Sequence, residues 1–255
     1  MTHSEHGTVV LMGSGEMAAS MVETHKYALS LIEGAQKAIF IDTPAGFQLN
    51  ADLLAEKAVV FFHDRVEKSL EVVSYKSSSA APDQLQAAMK LLHEASYIFA
   101  GPGSPTYAVK HWMQSPIPDA LLETLSRGGV LTFASAAALT LGRLTLPVYE
   151  IYKVGDPVHW TQGLDILGHY GLDVCVVPHW NNNSGGDHDT TFCFLGEPRW
   201  QALSAELPDT TVVLGLDEHT ACLIRFAANI CEVQGVGQVI VQRGGVKKTF
   251  KEGDS

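Results

Sequence analysis

Five short apolar runs, each closed by turn-forming or small residues, set the strongest limit on what this chain can fold into. Thr8-Val9-Val10-Leu11-Met12 stops at Gly13-Ser14-Gly15, and Ala38-Ile39-Phe40-Ile41 stops at Asp42-Thr43-Pro44. Leu70-Glu71-Val72-Val73 is a third run, Tyr97-Ile98-Phe99-Ala100 stops at Gly101-Pro102-Gly103, and Val130-Leu131-Thr132-Phe133 runs into Ala134-Ser135. Each run is too short for a helix and rich in the residues that suit a buried strand. Residues 17–33, 50–67 and 83–94 lie between the runs and read as helices. Strands and helices that alternate in this way predict an α/β fold: three layers, doubly wound, around a mostly parallel sheet. In such sheets a ligand site lies beyond the carboxyl ends of the strands, here Gly13–Glu16, Asp42–Gly46, Gly101–Thr106 and Ala134–Ala137.

The second half holds more turns. Val174–Pro178 reads as a strand, His179–Asp189 as a polar loop and Thr190–Leu203 as mostly helical. Val212–Leu216, Thr220–Arg225, Ile230–Gln234 and Gln238–Gln242 read as a hairpin-rich C-terminal edge of one 255-residue domain. Residues 1–7 and the polar stretch 244–255 are expected to be flexible tails.

With 46% apolar residues the chain can bury a core, which excludes a disordered polymer. Its net charge of −11 and the lack of a basic run argue against nucleic acid or an anionic membrane as partner. The four cysteines form no C-x-x-C pair and are expected to sit reduced in the core of a cytoplasmic protein. A small-molecule partner, and a homodimer, fit a chain of this kind.

The stretch Phe133-Ala134-Ser135-Ala136-Ala137-Ala138 puts a serine where a strand passes directly into Ala-rich helical sequence. That is the layout of a nucleophile elbow, in which a tight turn exposes Oγ beside a helix N-terminus. It is equally the layout of an N-cap serine that starts a buried helix. A nucleophilic serine needs a base and an acid to orient the base. His179 follows the strand ending at Pro178, and Glu150 lies 15 residues after Ser135. His188, in the polar loop, is a rival base.

These segments together resemble the peptidase E–cyanophycinase family of serine peptidases, within the class I glutamine amidotransferase-like superfamily. Ser135 and its alanines are similar to the family's Gly-x-Ser-Ala-Gly-Ala motif, with Phe133 and Ala137 at the two glycine positions. Ala100–Thr106 is similar to the Gly-rich segment of its oxyanion hole. Val10–Glu16 and Gly215–Ala221 resemble the Gly-x-x-Glu turn and the Gly-Ile-Asp-Glu-x-Thr-Ala segment of the cyanophycinase branch. The resemblance implies Ser135 as nucleophile, His179 as base, Glu150 as orienting acid, and the amides of Gly103 and Ala136 as the oxyanion hole. It implies a small or Asp-containing peptide as substrate and no cofactor. Glu16, Ser104, His188, Arg199, Asp217 and Glu218 are expected to contact substrate, with Arg199 suited to gripping a carboxylate. A fold-mate that binds a small molecule or nucleotide without catalysis is the alternative, because each lost glycine places a Cβ in a crowded turn.

Two other patterns point elsewhere. His179, Asp187, His188 and Asp189 are metal-ligand types, but their spacing matches no zinc motif, so no metal is expected. Gly13-Ser14-Gly15-Glu16-Met17-Ala18, followed by Asp42, outlines a dinucleotide fingerprint, although Glu16 would face the pyrophosphate.

Overall fold

The computed structural model describes residues 6–254. Of the tail expected over 1–7, residues 1–5 lie outside the described residues. Gly7 is held, donating its amide to the Leu125 carbonyl at 2.7 Å.

The first strand, β1 (Thr8–Met12), leads through a 3-10 turn into α1 (Val22–Ser30). Then follow β2 (Ala38–Ile41), α2 (Ala51–Phe61), β3 (Leu70–Val73), α3 (Pro82–Glu94) and β4 (Tyr97–Ala100). Two helices come next, α4 (Pro105–Trp112) and α5 (Ile117–Ser126), before β5 (Val130–Ala134) and the short α6 (Ala136–Thr140). The second half carries β6 (Leu144–Thr145), β7 (Thr161–Gln162), β8 (Val174–Val177), α7 (Glu197–Ser204), β9 (Val212–Leu216), β10 (Thr220–Arg225), β11 (Ile230–Gly235), β12 (Val239–Arg243) and β13 (Val246–Phe250).

The main sheet has seven strands in the order β11-β10-β1-β5-β4-β2-β3. β1 to β5 are parallel, and β10 and β11 add two antiparallel strands beside β1. Alternate residues of each strand feed the two faces. Val10, Met12, Phe40 and Phe99 pack under α1 and α2 with Leu29, Ala58 and Phe62. Leu11, Ile41, Ile98 and Phe133 pack on the other face with Leu92, Trp112, Leu121 and Ala138. The mixed α/β architecture with a large, mostly parallel sheet is thus as the apolar runs predict.

The C-terminal strands differ from the expected single edge. β9 and β12 leave the main sheet and pair with β8 and β13 in a second sheet, β13-β12-β9-β8. β13 falls where a flexible tail was expected: residues 246–250 pair with β12 in antiparallel register. The stretch 190–203 is also not one helix. Phe192, Cys193 and Phe194 have φ of 54°, 58° and 67°, a left-handed turn, and the helix begins only at Glu197. Cys175, Cys193 and Cys222 are buried as free thiols, whereas Cys231 on the outer strand β11 is exposed. No helix among the described residues is long and apolar enough to cross a membrane.

One buried polar group ties the α1 layer to the sheet. His25 is fully buried; its Nε2–H donates to the Glu16 carbonyl and its Nδ1 accepts from the Tyr97 hydroxyl, both at 2.7 Å. Burial holds its pKa at about 4, below the ordinary 6.5. The unfolded chain therefore binds a proton in this window that the folded chain rejects. Stability is complete above pH 6.5 and falls as pH drops through 6.5 towards 4, by roughly 3 kcal/mol for a fully buried imidazole. Urea unfolding midpoints should drop between pH 7 and pH 4.5, and His25→Phe should flatten that drop. Equal drops in both proteins would remove His25 as the cause.

Candidate active site

β1, β5 and β4 are neighbours in the sheet, so their carboxyl ends bring Gly13–Glu16, Ser135 and Gly101–Gly103 to one crevice. Ser135 sits between β5 and α6 with φ 51° and ψ −121°, a conformation non-glycine residues seldom adopt. The surroundings hold it there. Its amide donates to the Met12 carbonyl at 3.0 Å, and the Ala137 amide donates to the Gly101 carbonyl at 3.2 Å. Strain of this kind costs on the order of 1–3 kcal/mol and turns Oγ out of the strand. Phe133 and Ala137, which stand in the two motif glycine positions, do not block the turn. Both are fully buried in the core, with the Phe133 ring 5.8 Å from that of Trp112.

Ser135 Oγ lies 2.8 Å from His179 Nε2. His179 is the second residue after β8, and its positive φ of 50° marks another forced turn. Its amide donates to the Gly13 carbonyl at 3.2 Å, which fixes the second sheet's strand end against β1. His179 Nδ1 lies 2.7 Å from Glu218 Oε1. A carboxylate only accepts, so Nδ1 carries the proton and Nε2 is free to accept the Ser135 hydroxyl. Asn182 Nδ2 donates to the same Glu218 oxygen at 2.8 Å, and the Glu218 amide donates to Asn181 Oδ1 at 2.8 Å. The bond from His179 is the main cause that holds the Glu218 carboxyl down at about 2.

Glu150, expected as the orienting acid, makes no bond to His179. It begins a tight turn at residues 150–154 and accepts from the Thr106 hydroxyl at 2.6 Å. Glu218, expected to contact substrate, stands in its place on the turn that crosses from β9 in the second sheet to β10 in the main sheet. A signal was present: the paired acids Asp217-Glu218 fall in a turn between two apolar strands. Their partnership with His179 depends on a register between strands that residue spacing does not reveal.

The Gly103 and Ala136 amides donate to no protein acceptor among the described residues. Gly103 has φ 150°, and a Cβ there would lie 1.9 Å from the Pro44 carbonyl oxygen. Only glycine lets the loop approach so closely. A cleft of about 470 Å³ opens beside these groups, walled by Gly103, Ser135, Ala136, Leu139, Tyr149, Tyr152, Lys153, His179 and Phe194. Its size suits a small ligand.

The other expected contacts scatter. Ser104 is buried next to Gly103 as the N-cap of α4, accepting from the Tyr107 amide at 3.2 Å. Glu16 is buried at the end of β1, where desolvation raises its pKa, and a Cβ on Gly101 would lie 3.1 Å from its Oε1. Asp217 binds the Gln238 amide at 2.9 Å and so braces the second sheet. Arg199 is exposed on α7 and lines no part of the cleft. His188 lies 3.3 Å from the Tyr152 hydroxyl, whereas Ser135 Oγ is bonded to His179. Among the described residues no group of three or more His, Cys, Asp or Glu side chains converges on a point where a metal could sit.

The fingerprint at Gly13–Ala18 is filled by the protein itself. A Cβ on Gly13 would lie 2.0 Å from the Asp217 carbonyl oxygen, and one on Gly15 would lie 2.4 Å from the His219 ring. The α-helix starts later, at Val22, after a 3-10 turn over Ala19–Met21. Asp42 is committed to Ser74 Oγ at 3.0 Å and the Tyr75 amide at 2.9 Å.

No family profile and no curated protein matches the sequence. Solved structures do. A peptidase from an acI-B1 Actinobacterium superposes with a TM-score of 0.77 at 20% identity, over 99% of this chain and 97% of that one. A putative Peptidase E from Listeria monocytogenes EGD-e superposes with a TM-score of 0.61 at 14% identity, over 91% of this chain and 100% of the other. At these identities the likeness establishes a shared fold.

Proposed function

We propose that the protein is a serine hydrolase of the peptidase E–cyanophycinase type, cleaving amide bonds of small or Asp-containing peptides through an acyl-enzyme. The observation that carries this reading is the unbroken chain Ser135 Oγ, His179 Nε2, His179 Nδ1, Glu218 Oε1 on a strained strand-to-helix turn. Ser135 Oγ attacks the carbonyl carbon as His179 Nε2 takes its proton. The Gly103 and Ala136 amides, with no other acceptor, receive the oxyanion. His179 then protonates the leaving amine, and water repeats the sequence to release the acyl group. Glu218 keeps the imidazole in the receptive tautomer and balances the imidazolium charge. Lys153 on the cleft wall supports an acidic substrate group, in place of the more distant Arg199.

A fluorophosphonate probe tests this reading, because it phosphonylates only an activated serine. Wild type should label, and Ser135→Ala and His179→Ala should each lose labelling by at least about 10³-fold. Folded wild type that stays unlabelled, or labelling that survives Ser135→Ala, would sink it.

A further inference from the structure

The oxyanion loop has an unusual tether. Residues 101–104 connect β4 to α4, with Gly103 next to the N-cap Ser104, and Thr106 lies in the first turn of α4. Ser104 Oγ accepts from the Tyr107 amide at 3.2 Å, which leaves its own proton for Thr106 Oγ1 at 2.9 Å. Thr106 has one hydroxyl proton, and it goes to Glu150 Oε1 at 2.6 Å. The chain Ser104, Thr106, Glu150 thus carries a fixed direction and ends on a carboxylate, the strongest acceptor available. Glu150 is itself anchored, since its carbonyl accepts from the Gly155 and Asp156 amides at 3.0 and 2.9 Å. Its neighbour Tyr149 lines the cleft.

Glu150 also breaks a rule of economical packing. Its Oε2 is buried and has no hydrogen-bond partner among the described residues. A stranded carboxylate oxygen is a net cost to the fold, so Glu150 is poorly explained as a stabilising residue. Its one side-chain bond runs to Thr106, in the first turn of the helix that follows the Gly103 loop.

We propose that Glu150, acting through Thr106 and Ser104, is a positioning residue that sets the Gly103 amide at the distance an oxyanion requires. The inference rests on the Ser135 reading above. It separates Glu150 from the role of Glu218: one fixes the electrophilic side of the site, the other the base. The backbone bond from the Ser104 amide to the Pro44 carbonyl, at 2.9 Å, holds the loop from β2's side. The hydroxyl chain holds it from outside the cleft, on the side of the 150–154 turn next to Tyr149. The Ala137 amide holds the loop's start through the Gly101 carbonyl, so losing the hydroxyl chain loosens the Gly103–Ser104 end, and a displacement of an ångström at a preorganised donor lowers turnover while leaving ground-state binding nearly intact.

The test uses full-length protein and p-nitrophenyl acetate as the probe substrate, with fluorophosphonate labelling alongside. Thr106→Val, close to isosteric, should lower kcat by about 10- to 100-fold with KM within about twofold, since uniform binding is untouched. Glu150→Ala should do the same. Thr106→Ser restores the hydroxyl and should recover most of the loss, which a simple packing role for the threonine methyl would not predict. The thermal midpoints of Thr106→Val and Thr106→Ser should be close, separating placement from folding. If wild type labels and turns over the ester but Thr106→Val and Glu150→Ala keep wild-type kcat, the inference fails and the Ser135 reading stands. If KM rises and kcat holds, the chain serves substrate binding and the inference also fails. Wild type that neither labels nor turns over the ester overturns both.

Discussion

Glu218→Gln is expected to slow fluorophosphonate labelling by roughly 10³- to 10⁴-fold, whereas Glu150→Gln should cost about tenfold or less. The two acids are alike in sequence and differ in what they touch. Glu218 Oε1 receives both the His179 Nδ1 proton and an Asn182 Nδ2 proton. A glutamine there can turn its NH2 towards Nδ1, which forces the opposite tautomer and places a proton on Nε2. An Nε2–H cannot accept from Ser135, so the base is lost with the geometry intact. Glutamine at 150 can still offer an oxygen to Thr106, so the hydroxyl chain survives in part. Greater damage at 150 than at 218 would mean that the acid has been misassigned.

Gly103→Ala should reduce labelling by about 10²- to 10³-fold, the usual cost of removing one oxyanion donor. The added Cβ would fall 1.9 Å from the Pro44 carbonyl oxygen and 2.1 Å from its carbon, both backbone atoms that cannot rotate away. The φ of 150° adds strain for any L side chain. The loop must therefore retreat and take the amide with it. Circular dichroism and thermal unfolding would show whether the fold persists. A folded Gly103→Ala protein that labels within about threefold of wild type would show that this amide is not an oxyanion donor.

Much of the main sheet is legible in the sequence because its central strands are buried on both faces. Such strands read as unbroken apolar runs, and the glycines, prolines and aspartates that end them mark the site-bearing crevice. β13 is not legible in that way. Val246-Lys247-Lys248-Thr249-Phe250 is an exposed edge, where lysines blunt the strand and mimic a tail. The helices α4 and α5 carry local signals, Ser104 capping ahead of Pro105 and Pro118 in the first turn, that mark starts but not lengths. The left-handed turn at Phe192–Phe194 has no glycine to announce it and exists because Phe192 and Cys193 bind back to the carbonyls of Trp180 and His179.

Ser135 and His179 stand out because strand-to-turn boundaries are local properties. The acid does not. Chain order singles out Glu150, which lies between Ser135 and His179, whereas Glu218 reaches His179 because β9 and β10 cross between two sheets. The lost motif glycines mislead for a related reason. Whether a Cβ at 133 or 137 clashes depends on which face it points to, and both point into the core.

The most direct measurement of the central claim is peptide mass mapping of wild-type protein after fluorophosphonate treatment and trypsin digestion. The segment Gly128–Arg143 contains Ser135 as its one serine. The account predicts a single phosphonyl adduct on that segment, located at Ser135 and absent when His179 is alanine. An adduct on another serine, or folded protein that carries none, would contradict it.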